Sequence, residues 1–338
     1  MSDKAIHVYR GDFIESTHDI HAAVTDTNGN LLYYYGNPMR ATFARSSMKP
    51  FQTIPVVESG AIERFGFTEK DISLFCASHS GEPFHRERVQ HILHTIGLKE
   101  QDLQCGTHIP RDLESYKQLI KENKELNAIY SNCSGKHSGM LATCVHMNEE
   151  IKTYRNKEHP HQIRILNSIS TICSFPVEKM ALSVDGCGVP VHQLPLQNLA
   201  IGFARLAKSE NWHTSETIRK TSLAKIAESM AKYPEMVAGT NRFDTDLMKE
   251  FQGRLVAKGG AEGVQCIGDR ESGIGIALKV EDGNARGASV AALHILRELN
   301  IGTEDVYSKL QNYEVAPVLN SRQEKIGKIV SAFTLHKS

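Results

Sequence analysis

The stretch Arg45-Ser46-Ser47-Met48-Lys49-Pro50 places a serine and a lysine three residues apart, directly after a part of the chain that favours β-strands. If a helix begins here, side chains at positions i and i+3 share one face, so the Lys49 amine can reach the Ser46 hydroxyl. A serine is a good nucleophile only when a partner accepts its proton, and an uncharged lysine can do so. Pro50 fits a first helical turn. The stretch indicates a nucleophile beside a base, although Ser-x-x-Lys alone is a weak pattern.

The residues before this stretch predict a β-hairpin. Strand-forming residues occupy 6–14 and 20–25, and Asn28-Gly29 is a strong signal for a tight turn. Leu31 to Tyr35 is the predicted return strand. A hairpin therefore leads into the segment that carries Ser46.

Composition describes an ordinary globular protein. The chain has 338 residues, 40% of them hydrophobic and 23% charged, which is enough to bury a large core. Its 39 basic and 39 acidic residues cancel, which argues against nucleic acid or an anionic membrane as the main partner. We find no signal peptide and no apolar stretch long enough to span a bilayer, so a cytoplasmic location is expected. The seven cysteines are an odd number and are expected to be reduced thiols.

A second polar segment follows the apolar residues 72–77. Ser78, His79 and Ser80 stand there, at a place where small polar residues commonly end an element and face a cleft. All three are candidates for chemistry. The alternative is that Ser78 or Ser80 caps the helix predicted over 86–97.

Two cysteine-bearing segments suggest a metal site. Cys133 and Lys136-His137 lie in the densest polar cluster of the chain, and Cys187 follows the strand predicted over 180–184. Two thiolates with Lys136 or His137 could bind a borderline metal such as zinc, provided that a ligating lysine is neutral. The spacing is not that of a zinc finger, so buried free thiols are the alternative.

The rest of the chain mixes helices and strands. Predicted elements are helices over 198–208, 215–232 and 244–251, strands over 254–257, 263–268 and 273–280, helices over 285–298 and 304–312, and a strand over 328–335. Lys258 precedes two glycines, which permit close approach of the backbone to a ligand. A solvated turn is the alternative for this segment.

The order of these parts resembles the superfamily of serine β-lactamases, penicillin-binding proteins and glutaminases. Five motifs narrow the resemblance to the class 3, Ser-Lys type of L-asparaginase. They are Arg-Ser-Ser-Met-Lys-Pro at 45–50, Cys-Ala-Ser-His-Ser-Gly-Glu at 76–82, Asn-Cys-Ser-Gly-Lys-His at 132–137, Asp-Gly-Cys-Gly-Val-Pro at 185–190 and Lys-Gly-Gly-Ala-Glu-Gly at 258–263.

The resemblance implies an α/β (α+β type) fold like that of the serine β-lactamases, with an antiparallel sheet flanked by helices and a mainly helical second lobe. We expect one catalytic unit, with a sheet lobe over about 1–45 and 250–338 and a helical, site-bearing lobe over about 46–249. The implied enzyme is a homodimeric amidohydrolase that converts L-asparagine to L-aspartate and ammonia.

Carried across by position, the resemblance also assigns the site. It implies two catalytic pairs, Ser46 with Lys49 and Ser78 with Lys258, zinc ligands at Cys133, Lys136 and Cys187, and substrate-binding roles for Arg45, His137 and Asp185.

A mechanism follows from this assignment. Ser46 would attack the side-chain amide while Lys49 accepts its proton, and the second pair would relay protons to the leaving nitrogen. Zinc would bind the amino-acid head group of the substrate or shape the pocket rather than activate water. The alternatives are a glutaminase, a hydrolase of β-lactams or peptides with the same fold, and a non-catalytic zinc-binding descendant.

Overall fold

The computed structural model describes residues 4–338. Its strands are β1 Ile6–Arg10, β2 Phe13–His18, β3 Ile20–Thr25, β4 Leu31–Tyr35, β5 Ala41–Phe43, β6 Ala181–Val184, β7 Pro190–Pro195, β8 Leu255–Gly260, β9 Val264–Asp269, β10 Gly275–Val280, β11 Ala316–Leu319, β12 Lys325–Ser331 and β13 His336–Lys337.

Of the α-helices in residues 4–338, eight lie between β5 and β6, and the others follow β7 or later strands. The α-helices are α1 Lys49–Gln52, α2 Ile54–Glu58, α3 Ala61–Phe65, α4 Glu69–Phe75, α5 Pro83–Thr95, α6 Leu113–Lys121, α7 Ser134–Met147, α8 Pro160–Ile172, α9 Leu196–Ala207, α10 Thr217–Lys232, α11 Pro234–Val237, α12 Phe243–Glu250, α13 Ala288–Glu298, α14 Glu304–Lys309 and α15 Gln311–Glu314.

The chain divides into two compact units. The first, which we call the sheet unit, comprises 4–47, 194–211 and 246–338, and the second, the helical unit, comprises 48–193 and 212–245. The segment 194–211 was expected in the helical lobe, but it groups with the sheets because α9 packs on β3, β9 and β10.

The sheet unit holds two antiparallel sheets. Their strand orders are β11-β12-β1-β2 and β13-β4-β3-β10-β9-β8. The predicted hairpin is present, with β3 and β4 paired across the Asn28-Gly29 turn. Strands β9 and β10 are buried along their whole length, and both α9 and α13 pack against them. The expected α/β class, with antiparallel sheets and helices, is confirmed.

Two glycines let α9 lie close to this sheet. Gly268 and Gly275 are directly opposite each other on β9 and β10. A Cβ atom on Gly275 would come 2.0 Å from Ala200 O, and one on Gly268 would come 2.5 Å from Phe203 O. Any side chain at these two positions would push the helix off the sheet.

The helical unit is built around α4, which contacts α7, α10 and α11, while α8 packs on α1 and α2. A short antiparallel hairpin of β6 with residues 190–193 of β7 completes it. No helix within residues 4–338 is both long and apolar enough to cross a membrane.

The element expected to begin at Ser46 differs in detail. Arg45–Met48 form a 3₁₀ turn, and the α-helix starts only at Lys49. This helix, α1, is interrupted at Thr53, directly before α2, whose first turn contains Pro55. The interruption agrees with the missing amide proton of proline, which cannot continue an existing helix without loss of a hydrogen bond.

Candidate active site

In the sheet unit, the Ser46 turn lies against the end of β8. A Cβ atom on Gly260 would come 2.8 Å from Ala44 O and 3.3 Å from Ser47 N, so glycine is needed for this approach. The contact brings the Lys258-Gly259-Gly260 segment beside the turn that carries Ser46. The Lys258 side chain is buried, and its Nζ donates to Gly259 O at 2.9 Å.

The backbone at this turn is strained. Arg45 has a φ angle of +51°, in the left-handed region that a non-glycine residue rarely adopts. Arg45 and Ser46 are both half-buried, whereas the next residue, Ser47, is fully buried and donates through its hydroxyl to Ala44 O at 2.6 Å. The turn therefore buries one serine and leaves the other partly accessible.

In the helical unit, Lys49 is fully buried among oxygen atoms. Its Nζ donates to Ala77 O, lies 2.9 Å from Ser78 Oγ and reaches Asn132 O at 3.4 Å. Burial is the main cause that lowers the pKa of Lys49, and the charge of Lys136 acts in the same direction. A neutral amine has two donors for the carbonyl oxygens and a lone pair for the Ser78 proton. The sequence paired Lys49 with Ser46, whereas the observed contact is with Ser78.

The Ser78 segment is held by the last residue of α11 and the residue after it. Ser78 N donates to Val237 O at 2.9 Å, and the Ser80 hydroxyl donates to Ala238 O at 2.8 Å. Glu82, not a serine, occupies the N-cap position of α5. The alternative that Ser78 or Ser80 caps this helix is therefore wrong.

His79 has a defined hydrogen-bonding role in this segment. Its Nδ1 accepts from Gly81 N at 3.1 Å, so the neutral ring carries its proton on Nε2, which lies 2.9 Å from Ser134 Oγ. The Ser134 hydroxyl in turn donates to Ile129 O at 3.0 Å. Burial, then the nearby His85, hold the pKa of His79 well below its usual range. His79 is thus a neutral link between the Ser78 segment and the start of α7.

Two glycines on α7 bring its first turns against α4. A Cβ atom on Gly135 would lie 2.5 Å from Leu74 O, and one on Gly139 would lie 2.8 Å from the Phe75 ring. Because residues i and i+4 share one helix face, the two glycines form a flat surface. The close contact places Cys133 and Lys136 near the residues that follow α4, among them Ser78.

Cys133, Lys136 and Cys187 are brought together within the helical unit. Cys133 occupies the N-cap position of α7, and Lys136 lies in the first turn of that helix. Cys187 lies in the turn between β6 and β7, which is closed by a 2.9 Å bond from Asp185 N to Val189 O. Lys136 Nζ donates to Cys187 Sγ at 3.1 Å. The three predicted ligands therefore form one buried cluster.

The cluster is strongly polarised. A hydrogen bond from Cys133 is the main cause that lowers the pKa of Cys187 far below that of an ordinary thiol, and Lys136 and His137 add to it. The same bond, together with burial, raises the pKa of Cys133. Burial alone would lower the pKa of Lys136, but the charges of Cys187, Cys133 and Asp185 outweigh it and raise that pKa. These shifts favour an ammonium on Lys136 and a thiolate on Cys187.

The predicted substrate-binding residues His137 and Asp185 lie next to this cluster. His137 follows Lys136 on α7, and burial is the main cause that lowers its pKa to about 4. Asp185 is half-buried at the start of the β6–β7 turn. A further histidine, His192 on β7, was not singled out from the sequence; burial lowers its pKa to about 4, and the charge of Lys136 acts in the same direction.

The donor set fits a zinc ion. Two sulfur atoms and a lysine nitrogen meet in a buried place, where Lys136 Nζ donates to Cys187 Sγ. Within residues 4–338 the buried Nε2 atom of His137 has no hydrogen-bond partner of normal geometry. Thiolate sulfur and neutral nitrogen are ligands that zinc prefers. Binding would require loss of the Cys133 and Lys136 protons.

A second group could be mistaken for a metal site. Ligand atoms of Cys144, Glu149 and His159 lie within 4.8 Å of one another. Both Glu149 oxygens, however, accept from Arg164, at 2.8 and 2.6 Å. His159 uses one ring nitrogen toward Glu150 O and the other toward His161 N. Burial also raises the pKa of Cys144 to about 12. Glu149 and His159 thus have hydrogen-bond partners within the protein, and we assign the group a structural role.

The helical unit thus buries a lysine amine beside a serine hydroxyl, a pair in which the amine can activate the serine. The comparison with protein families gives the particular family. The chain belongs to the L-asparaginase II family, whose model matches residues 6–331. This family places the chain among the amidohydrolases.

Solved structures show only a distant likeness. A crystal structure of Mglu shares 13% identity at a TM-score of 0.40, over 86% of this chain and 69% of that chain. A structure of Mglu in its L-glutamate binding form shares 13% identity at a TM-score of 0.40, over 85% of this chain and 61% of that chain. A proposed beta-lactamase from Bacteroides dorei DSM 17855 shares 11% identity at a TM-score of 0.40, over 83% of this chain and 94% of that chain. No curated protein matches the chain. At these values the likeness says nothing about a substrate.

Proposed function

We propose that the protein hydrolyses the side-chain amide of L-asparagine to L-aspartate and ammonia through an acyl-enzyme formed on a serine. The observation that carries this proposal is the 2.9 Å contact between Lys49 Nζ and Ser78 Oγ in a buried place where the lysine pKa is lowered. A neutral lysine can take a proton from a serine at neutral pH. Membership of the L-asparaginase II family supports the choice of an amide substrate.

We assign the attack to Ser46 and proton transfer to Lys49 and Ser78. Ser46 is half-buried and follows the strained Arg45, whereas Ser78 is only 5% exposed and already contacts the amine. The more accessible hydroxyl is the better attacking group, and the enclosed one is the better proton carrier. We propose that Lys258, as the partner of Ser78, assists in relaying protons to the leaving nitrogen.

The proposed steps balance. Ser46 Oγ bonds to the amide carbon as its proton passes to Lys49, and a proton returns from Lys49 through Ser78 to the leaving nitrogen. The carbon–nitrogen bond breaks, ammonia departs, and an aspartyl ester remains on Ser46. Water then adds to the ester as Lys49 takes its proton, and the ester oxygen of Ser46 is protonated as aspartate leaves.

Cys133, Lys136 and Cys187 would hold a zinc ion beside this machinery, with His137 and Asp185 as neighbours. With an ion bound there, these residues would place a positive charge that could bind the amino-acid head group and fix the start of α7. The serine chemistry itself uses only groups of this chain. Arg45 is proposed as a further contact for the substrate, because a guanidinium suits a carboxylate.

Trapping of the ester tests the assignment. Wild-type protein mixed with asparagine and quenched in acid should yield a peptide that contains Ser46 and carries an aspartyl group, detected by mass spectrometry. Ser46→Ala should release no ammonia from asparagine and form no ester. Ser47→Ala is the matched control, since that adjacent serine is buried against Ala44 O, and its activity should persist. An ester on Ser78, with activity in Ser46→Ala, would move the nucleophile to Ser78.

Parallel assays with asparagine, glutamine and a chromogenic β-lactam distinguish the asparaginase from the related hydrolases. We also propose a cytoplasmic homodimer. All seven cysteines are reduced thiols, which suits a reducing compartment. The dimer rests on the resemblance of the five motifs and is tested by light scattering, where a monomer mass at assay concentration would contradict it.

A further inference from the structure

Tyr154 is a buried group that the proposed reaction does not use. It lies between α7 and α8, and its side chain is completely enclosed. Its hydroxyl oxygen accepts a hydrogen bond from Gln104 N at 2.9 Å and lies 2.6 Å from His137 Nδ1. The two rings meet edge to face, with centroids 5.5 Å apart and an angle of 81°. Tyr154 therefore both packs against and bonds to His137.

The direction of the bonds follows from donor counting. Gln104 N–H occupies one lone pair of the tyrosine oxygen, and burial raises the pKa of Tyr154, so the hydroxyl keeps its proton. That proton is donated to His137 Nδ1, the acceptor 2.6 Å away. A neutral imidazole that accepts at Nδ1 carries its own proton on Nε2.

The free end of His137 faces the cysteine cluster. Its Nε2 atom is buried without a hydrogen-bond partner of normal geometry among residues 4–338. The ring nevertheless interacts with Cys187, and each moves the pKa of the other. A chain thus runs from the Gln104 backbone through Tyr154 and His137 toward the Cys187 sulfur.

We propose that Tyr154 is a positioning residue for the Cys133–Lys136–Cys187 cluster, where its hydroxyl holds His137 in the Nε2–H tautomer and aims that group at the Cys187 sulfur. The inference rests on the metal-binding part of the proposed function. An N–H group held beside a ligand sulfur orients the ligand and tunes its strength as a donor. Loss of such outer partners commonly weakens metal affinity by about 10–100-fold.

The decisive variant is Tyr154→Phe, which keeps the ring and removes the hydroxyl. Zinc affinity, measured by competition with a chromophoric chelator, should fall by about 10–100-fold. The cobalt-substituted protein should show a shifted thiolate-to-cobalt absorption band. Tyr307→Phe is the matched control, because Tyr307 is also buried and its hydroxyl bonds Ile301 O at 2.6 Å in the sheet unit. Its zinc affinity should equal that of the wild type.

A double-mutant cycle shows whether Tyr154 acts through His137. In a His137→Gln background, Tyr154→Phe should weaken zinc binding no further, because the group that the hydroxyl orients is gone. Additive losses would instead indicate a general packing effect and overturn the proposal.

The wild-type protein offers a test that does not depend on the folding of a variant. Nitrogen NMR of protein labelled at histidine should show His137 as the Nε2–H tautomer, with the signal assigned by its loss in His137→Gln. An Nδ1–H tautomer, or an unchanged zinc affinity in Tyr154→Phe, would overturn the inference. Asparaginase activity in a wild-type protein that binds no zinc would overturn it as well, while the proposed hydrolysis would stand.

Discussion

Lys49 Nζ and Ser78 Oγ lie 2.9 Å apart, although the two residues are 29 positions apart in the chain. The lysine also reaches two main-chain oxygens, so its amine is held in place from three sides. A buried lysine in such a place is either a structural donor or a proton carrier. Its depressed pKa favours the second role.

Replacement of this lysine separates the two roles. Lys49→Gln keeps a donor for the carbonyl oxygens but cannot accept a proton, so activity should fall by about 10²–10⁴-fold with little loss of folding. Lys279→Gln is the control, since Lys279 is a second buried lysine that donates to main-chain oxygens, at Glu262 and Val280. Ammonia release should stay near the wild-type rate in that variant. Equal losses in both variants would mark Lys49 as structural.

The contact of α7 with α4 gives a prediction about packing. Gly135→Ala forces a methyl group to within 2.5 Å of Leu74 O, which backbone cannot easily relieve. We expect a loss of about 1–3 kcal/mol in the free energy of unfolding, measured by urea denaturation. Activity should fall further than stability explains, because the start of α7 carries Cys133 and Lys136. Gly287→Ala, where the nearest atom is 3.6 Å away, should be tolerated. An active, stable Gly135→Ala would show that the close contact is unnecessary.

Local sequence signals located some of the strands. The Asn28-Gly29 turn and its flanking residues predicted β3 and β4, and the glycine-bounded segments after Arg254 predicted β8, β9 and β10. These signals act over a few residues, which is the range of turn chemistry and side-chain alternation. The strand predicted over 6–14 is two strands, β1 and β2, and the sequence missed the strands β5, β7, β11 and β13 and the helices α6 and α8.

The geometry of the site was harder to predict, because the side chains that contact one another there are far apart in the sequence. The Ser-x-x-Lys spacing predicted a contact across one helical turn, whereas Lys49 contacts a serine from another segment. Gly135 and Gly139 belong to the polar cluster, and no local signal indicated their close contacts with Leu74 and Phe75. Tyr154 stands in an irregular segment without any local signal. The motif resemblance, by contrast, did nominate Cys133, Lys136 and Cys187, which the fold brings together.

His85 should make stability depend on pH. Its ring is buried and stacks on His79, and burial is the main cause that lowers its pKa from 6.5 to about 4. In the unfolded chain the His85 ring therefore binds a proton below about pH 6.5, whereas in the folded protein it binds one only below about pH 4. The contribution to stability is complete above pH 6.5 and is lost progressively as pH falls, by at most about 3 kcal/mol.

His85→Gln should remove this part of the slope in urea unfolding measured from pH 7 to pH 4. The glutamine amide can still donate to Glu235 O, the partner of His85 Nε2. His91→Gln, at an exposed position on α5, should follow the wild-type curve. Parallel curves for His85→Gln and wild type would show that the ring titrates equally in the folded and unfolded states.

Removal of the metal tests how it contributes. If zinc binds the amino-acid head group, dialysis against a chelator should raise KM for asparagine more than it lowers kcat, and added zinc should restore both. Because a ligand of the folded state stabilises by mass action, the same treatment should lower Tm. Cys187→Ser should reproduce the chelated state, whereas Cys266→Ser on β9 should respond to the chelator like the wild type. A complete loss of kcat with substrate binding intact would instead place the metal in the chemical step, and the serine-lysine mechanism would then have to be replaced by one in which the ion activates the attacking water.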